Sequence, residues 1–168
     1  DPLWSRGLGD VYKRQISHSP WADKMQAQHD QLVQWADDII TAAYQFVDPG
    51  TGLLLNAIDD PSTFLDGSGS ALLSYAVFRL ASMDQGRKKH VDMAEKAYQT
   101  LSKSLNSLSQ FTNGIQTVNE MQSNEAGATS TESLAFLILM AAARRDYHAN
   151  NVTLSLIHIS EPTRPERI

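Results

Sequence analysis

Apolar and polar positions along this chain fall into two kinds of helical pattern, one with a wet face and one without. Met25, His29, Leu32, Val33, Ala36, Ile39, Ile40, Ala43 and Val47 recur at helical spacing opposite Lys24, Gln28, Gln31, Gln34 and Asp38. This predicts a long amphipathic helix, opened by Ser19 as cap and Pro20 in the first turn. Asp48-Pro49-Gly50-Thr51-Gly52 breaks it, Leu53 to Ile58 reads as a short extended piece, and Asp59-Asp60-Pro61 turns the chain again. The stretch from Asp66 to Met83 is different. A Gly/Ser-rich opening, with Ser68 and Ser70 as cap candidates, leads into a helix predicted from about Ser70 to Met83. Ala71, Leu72, Leu73, Tyr75, Ala76, Val77, Phe78, Leu80 and Ala81 leave it no solvent-facing stripe.

The order then repeats. After Gly86 and the basic run Arg87-Lys88-Lys89, a second amphipathic helix is predicted from His90 to Leu108, with Val91, Ala94, Ala97, Tyr98, Leu101, Leu105 and Leu108 on one face. A long irregular stretch follows from Ser109 to Ser130, with a turn at Asn113-Gly114 and an extended piece at Ile115 to Val118. Another helix that is apolar all round is predicted from Thr131 to Tyr147. The repeat is one of pattern, with a period of about sixty residues. Outer helices with one apolar face and inner helices with none imply concentric layers, so the expected fold is all-α, about two αα-hairpins of a partial (α/α)6 toroid. Both long loops lead into the N-termini of inner helices and are expected at the same end of the barrel, where loops over rigid helix ends carry function.

Composition narrows the picture only at its edges. The net charge of −5 does not suit nucleic acid as a partner, and the absence of cysteine excludes disulfides and thiolate zinc sites. No apolar run reaches membrane-spanning length, so no membrane partner is expected. Compartment and oligomeric state stay open, with secretion a compatible reading. The two ends carry a separate signal. Gln15 read as CAG reverse-complements to a codon for Leu154, Arg14 as AGA to one for Ser155, and the relation runs unbroken to Asp1 and Ile168, stopping at Ile16 and Thr153. Residues 1–15 and 154–168 also resemble translated sequencing-adapter DNA. The expectation is therefore an adapter-derived segment at each end and, from 16 to 153, the C-terminal part of a glycosidase-like (α/α)6 barrel domain cut from a longer protein.

The residues from 48 to 81, DPGTGLLLNAIDDPSTFLDGSGSALLSYAVFRLA, and from 114 to 147, GIQTVNEMQSNEAGATSTESLAFLILMAAARRDY, carry a family likeness. They resemble the C-terminal part of the six-hairpin glycosidases, most closely the fungal-type unsaturated rhamnogalacturonyl hydrolases of glycoside hydrolase family 105, with the related family 88 behind them. Asp66-Gly67-Ser68-Gly69-Ser70-Ala71 is similar to the motif that opens an inner helix in that family. Ser130, Glu132, Ala135 and Phe136 keep part of its last-hairpin pattern, from which Thr131 and Leu134 depart. The resemblance implies release of a Δ4,5-unsaturated uronic acid from pectin-derived oligosaccharides. An Asp acts as general acid to the ring double bond, water adds, and no cofactor or metal takes part. It also implies that the catalytic Asp lies outside this chain, which would then be inactive by itself.

Asp66, Ser68, Gly69, Ser70 and Glu132 are the candidate substrate-binding residues, for an oligosaccharide. Ser68 to Ser70 would present N–H and hydroxyl groups to a sugar or a uronate carboxylate, or would simply cap the helix and close the loop. Asp66 either binds hydroxyls or caps. Glu132, in a first helical turn, is favourable there with or without a ligand. Asp59 and Asp60 read better as an Asx turn than as paired catalytic carboxylates, and Trp21 and Trp35 as packing between helices. His18, His29, His90 and His148 show no metal-ligand spacing. Two other readings stand beside the glycosidase: a non-catalytic helical toroid that binds protein or glycan, and a toroid hydrolase with a different polysaccharide substrate.

Overall fold

A computed structural model describes residues 22–83, 86–106, 110, 112, 115–116, 118–119, 122–123 and 130–157. Contacts divide the chain into two compact units, Asp1–Ala42 and Ala43–Ile168. In the first, a 3-10 turn at Ala22–Met25 leads into helix α1, Gln26–Ala43. The predicted start at Ser19-Pro20 lies outside the described residues. Val33 and Ile40, seven positions apart, are the buried residues of α1. Gln26 Nε2 donates to Asp30 and Gln34 Nε2 to Asp38 across one helical turn on the wet side. Ile39, expected on the apolar face, is 66 % exposed, and Trp35 is 55 % exposed rather than packed. At 100° per residue the two lie together, well away from the line through Val33 and Ile40.

The second unit begins where α1 ends. Tyr44–Phe46 forms a 3-10 turn, and Val47 is extended. Asp48 cannot continue the helix easily because Pro49 follows it. Its carboxylate instead accepts hydrogen bonds from the Thr51 N–H at 2.7 Å and the Thr51 hydroxyl at 2.5 Å. These bonds, the hydroxyl's first, hold the Asp48 carboxyl below its ordinary value. Strand β1, Leu54–Leu55, then pairs antiparallel with β2, Leu65–Asp66. The intervening turn is an Asx turn, with Asp60 Oδ1 accepting from the N–H and the hydroxyl of Ser62.

Helix α2, Gly67–Met83, starts three residues earlier than its sequence pattern implied, because Asp66 and not Ser68 or Ser70 caps it. Helix α3, Val91–Ser104, buries Val91, Ala94, Ala97 and Leu101 on one face, as the spacing predicts. It ends at Leu105, which is extended, and the Ser104 carbonyl accepts from both the N–H and the hydroxyl of Thr112. Helix α4 runs Thr131–Ile157, ten residues beyond the predicted end and into the segment read from sequence as adapter-derived. Strand β3, Ile115–Gln116, adds parallel to β2, while β4, Val118–Asn119, and β5, Gln122–Ser123, form a separate hairpin. The predicted turn at Asn113-Gly114 lies outside the described residues.

Helix α2 packs against both α3 and α4, and α4 packs chiefly against α2. Ser68 meets Ser133 near the starts of α2 and α4, and Phe78 meets Tyr147 further along, with ring centroids 6.0 Å apart. The two inner helices are therefore parallel neighbours. Glu95, near the start of α3, reaches Arg144 and His148 in the second half of α4, so α3 runs antiparallel to them. The core holds Leu53, Phe78, Leu101 and Met140 with almost no exposure, and Ala71, Ala81, Ala94 and Ala97 let the backbones approach closely. The inner helices are not enclosed all round: Leu72 on α2 and Ile138 and Leu139 on α4 are exposed within this chain.

Candidate functional site

Parallel pairing of β2 with β3 brings both long loops to one end of the unit, where α2 and α4 begin. Each of these N-termini leaves backbone N–H groups without intrahelical partners. At α2, Asp66 supplies the partner from within the chain. Its Oδ1 accepts from the N–H of Ser68 and its Oδ2 from the N–H of Gly69, both at 2.9 Å. At α4, the Ser130 hydroxyl accepts from the Ser133 N–H at 3.3 Å, a serine cap of the same kind.

The Asp66 carboxyl is pushed above its ordinary value of 3.8. Burial is the largest cause. Hydrogen bonds from Gly69 and Ser68 act against it, and the nearby Glu132 carboxylate adds like-charge repulsion. Asp66 and Glu132, distant in sequence, are thus electrostatic neighbours. Ser70 has a structural task. Its hydroxyl donates to the Asp66 carbonyl at 2.5 Å and accepts from the Leu54 N–H at 2.8 Å, which ties β1 to the first turn of α2. Gly69 is needed because the Asp66 carboxylate lies over it.

Of the five residues singled out from sequence, the structure gathers Ser68 and Gly69 around the Asp66 carboxylate, turns Ser70 inward, and leaves Glu132 to act on Asp66 through its charge. The pattern gave no sign of Ser133, which looks like any first-turn serine. It is fully buried, and its hydroxyl is hydrogen-bonded to that of Ser68. A second cluster was equally hidden: Glu95 accepts from Arg144 Nε at 2.7 Å and lies 2.6 Å from His148 Nε2, while Arg144 stands over the Tyr98 ring. It joins residues of two helices and acts as a brace between α3 and α4. Among the described residues no three His, Asp or Glu gather as a metal site would require, and no helix is long and apolar enough to cross a membrane.

No family model matches the chain, and no curated protein matches it significantly. Solved structures do. A possible member of glycoside hydrolase family 105 from Salmonella enterica serovar Paratyphi A is similar over 70% of this chain and 32% of its own, with a TM-score of 0.52 and 23% identity. A possible member of the same family from Klebsiella pneumoniae is similar over 71% of this chain and 33% of its own, with a TM-score of 0.55 and 20% identity. The chain spans about a third of the length of these structures. At such identities the likeness is one of fold, and it agrees with the parallel inner helices, the antiparallel outer helix and the loops gathered at one end. The chain has the all-α fold of part of an (α/α)6 toroid.

Proposed function

We propose that this chain is part of a carbohydrate-active hydrolase that takes oligosaccharides ending in an unsaturated uronic acid, of the kind derived from pectin. The observation that supports the reading is the pairing of two helix N-termini that carry Asp66, Ser68 and Glu132, on a toroid fold shared with the glycosidase structures. In the reaction implied, a proton adds to the ring double bond and water adds to the carbon left electron-poor. The hemiketal so formed opens and releases the neighbouring sugar. The proton donor is supplied from outside this chain, which holds the substrate and does not turn it over alone.

The geometry sharpens what is held here. The N–H groups of Ser68 and Gly69 are occupied by the Asp66 carboxylate, which stands where an anionic ligand would otherwise sit. With Glu132 adjacent, a uronate carboxylate is repelled from this spot, whereas sugar hydroxyls can donate to either side chain. These helix starts therefore read neutral hydroxyls, and the uronate is held elsewhere.

Titration calorimetry of the protein with an unsaturated rhamnogalacturonan disaccharide tests the reading. Saturable binding without loss of the double-bond absorbance is expected, weakened about tenfold (~1.4 kcal/mol) in an Asp66→Ala, Glu132→Ala double variant. No binding would overturn it. Equal binding of an unrelated neutral glucan would favour the non-catalytic glycan-binding toroid, a reading favoured by the inward use of Ser70 and of both N–H groups.

A further inference from the structure

Helices α2 and α4 place their positive N-terminal ends side by side, and each carries a carboxyl group there, Asp66 before the first turn of α2 and Glu132 within the first turn of α4. A line of hydrogen bonds runs between the two turns. The Asp66 carboxylate accepts from the Ser68 N–H, and the Ser68 hydroxyl is bonded to the Ser133 hydroxyl, 65 residues away in sequence. Ser133 has no exposed surface, and its own N–H is held by Ser130. Its hydroxyl is thus sealed from water and committed to Ser68.

We propose that Ser133 is a positioning residue, fixing the Asp66 and Glu132 carboxyls relative to each other by locking the first turn of α4 to that of α2 through Ser68. A displacement of Ser68 carries Asp66 with it, because both carboxylate oxygens are bonded to that turn. A displacement of Ser133 carries Glu132, its covalent neighbour. The bond resists sliding because breaking it leaves the buried Ser133 hydroxyl without a partner or water. The proposal rests on the reading above only for what the two carboxyls hold, and its test uses no sugar.

The experiment follows the Asp66 carboxyl carbon by NMR through a pH titration of the full chain, with and without Glu132→Gln. Removing the Glu132 charge should lower the Asp66 midpoint. In a Ser133→Ala background the same substitution should move it by less than half as much, and Ser68→Ala, which removes the bond from the other helix, should reproduce that loss. Ser133→Thr, which keeps the hydroxyl, should respond as the wild type does. An undiminished response in Ser133→Ala or Ser68→Ala, a Thr variant that behaves like Ala, or an Asp66 midpoint indifferent to Glu132→Gln would overturn the proposal. A merely space-filling Ser133 predicts the first of these. Failure of sugar binding would leave the titration result standing, so the two readings fail separately.

Discussion

Gly69 lies beneath the carboxylate it helps to hold. Its N–H donates to Asp66 Oδ2 at 2.9 Å, and a Cβ on Gly69 would stand 2.6 Å from that same oxygen. The cap of α2 thus requires a residue without a side chain at its third position, although glycine is a poor helix former.

Gly69→Ala should therefore expel the Asp66 carboxylate while leaving the fold intact, since what must move is the end of a side chain. Loss of the cap costs about 1 kcal/mol, and the better helix propensity of Ala returns about 1 kcal/mol, so the melting temperature should barely change. The Asp66 midpoint should fall back toward its ordinary value, because leaving the site removes the burial that is the largest cause of its upward shift. Thermal melts and a carboxyl NMR titration check both parts. A large drop in stability would show that the helix had moved instead.

Asp66→Asn removes the charge and one of the two acceptors, since the amide oxygen can take one N–H bond while the amide nitrogen cannot accept the other. The folded protein holds the Asp66 proton more tightly than the unfolded chain does. Stability associated with it is therefore complete below the ordinary value of 3.8 and is lost as pH rises through the raised folded value. The Asn variant should escape that loss and gain stability over the wild type between acid and neutral pH. Urea midpoints measured at both ends of the range would show it, and a constant difference would contradict it.

Tyr44 gives the same sign of effect at alkaline pH. Burial pushes its hydroxyl up to about 12, partly opposed by a hydrogen bond with Ser74 on α2. Between the ordinary value of 10.0 and about 12 the unfolded chain ionises and the folded one does not, so stability falls as pH rises. Tyr44→Phe should cost about 1 kcal/mol at neutral pH for the lost hydrogen bond. That deficit should close near the top of the window, as chemical denaturation followed across the range would reveal.

Gly52 tests the loop that leads from α1. It has φ of +78°, and a Cβ there would stand 2.7 Å from the Ala97 backbone N and 2.9 Å from the Met93 carbonyl oxygen on α3. Backbone cannot step aside as a carboxylate can. Gly52→Ala should cost about 1–3 kcal/mol from the dihedral alone, with the clash in addition. A melting temperature unchanged from the wild type would place the loop away from α3.

Periodicity sufficed for the helices because burying one face or all faces of a helix leaves a direct trace in residue order. Val91, Ala94, Ala97 and Leu101 form the buried face that their spacing announced, and α2 and α4 form where apolar residues crowd. Ile39 and Trp35 escaped that logic. A residue on the far side of a helix from its buried line is covered only if a second neighbour reaches it, and spacing does not say which neighbours exist.

Residue order by itself determined the alternation of amphipathic and apolar helices, the breaks at Asp48 to Gly52 and Asp59 to Pro61, and the value of Asp66 to Ser70 as a helix opening. Those follow from local propensity and from periods shorter than two helical turns. The structure chose the cap over the alternative for Asp66, and only the tertiary structure decided that Ser70 turns inward to Leu54, that the Glu132 charge acts on Asp66, and that Ser133 joins Ser68. Each of the last three joins two short segments through a single hydrogen bond or a single charge pair. Such contacts are specified by how the parallel helices and paired strands pack, and a lone serine or carboxylate bears no mark of the partner it will meet.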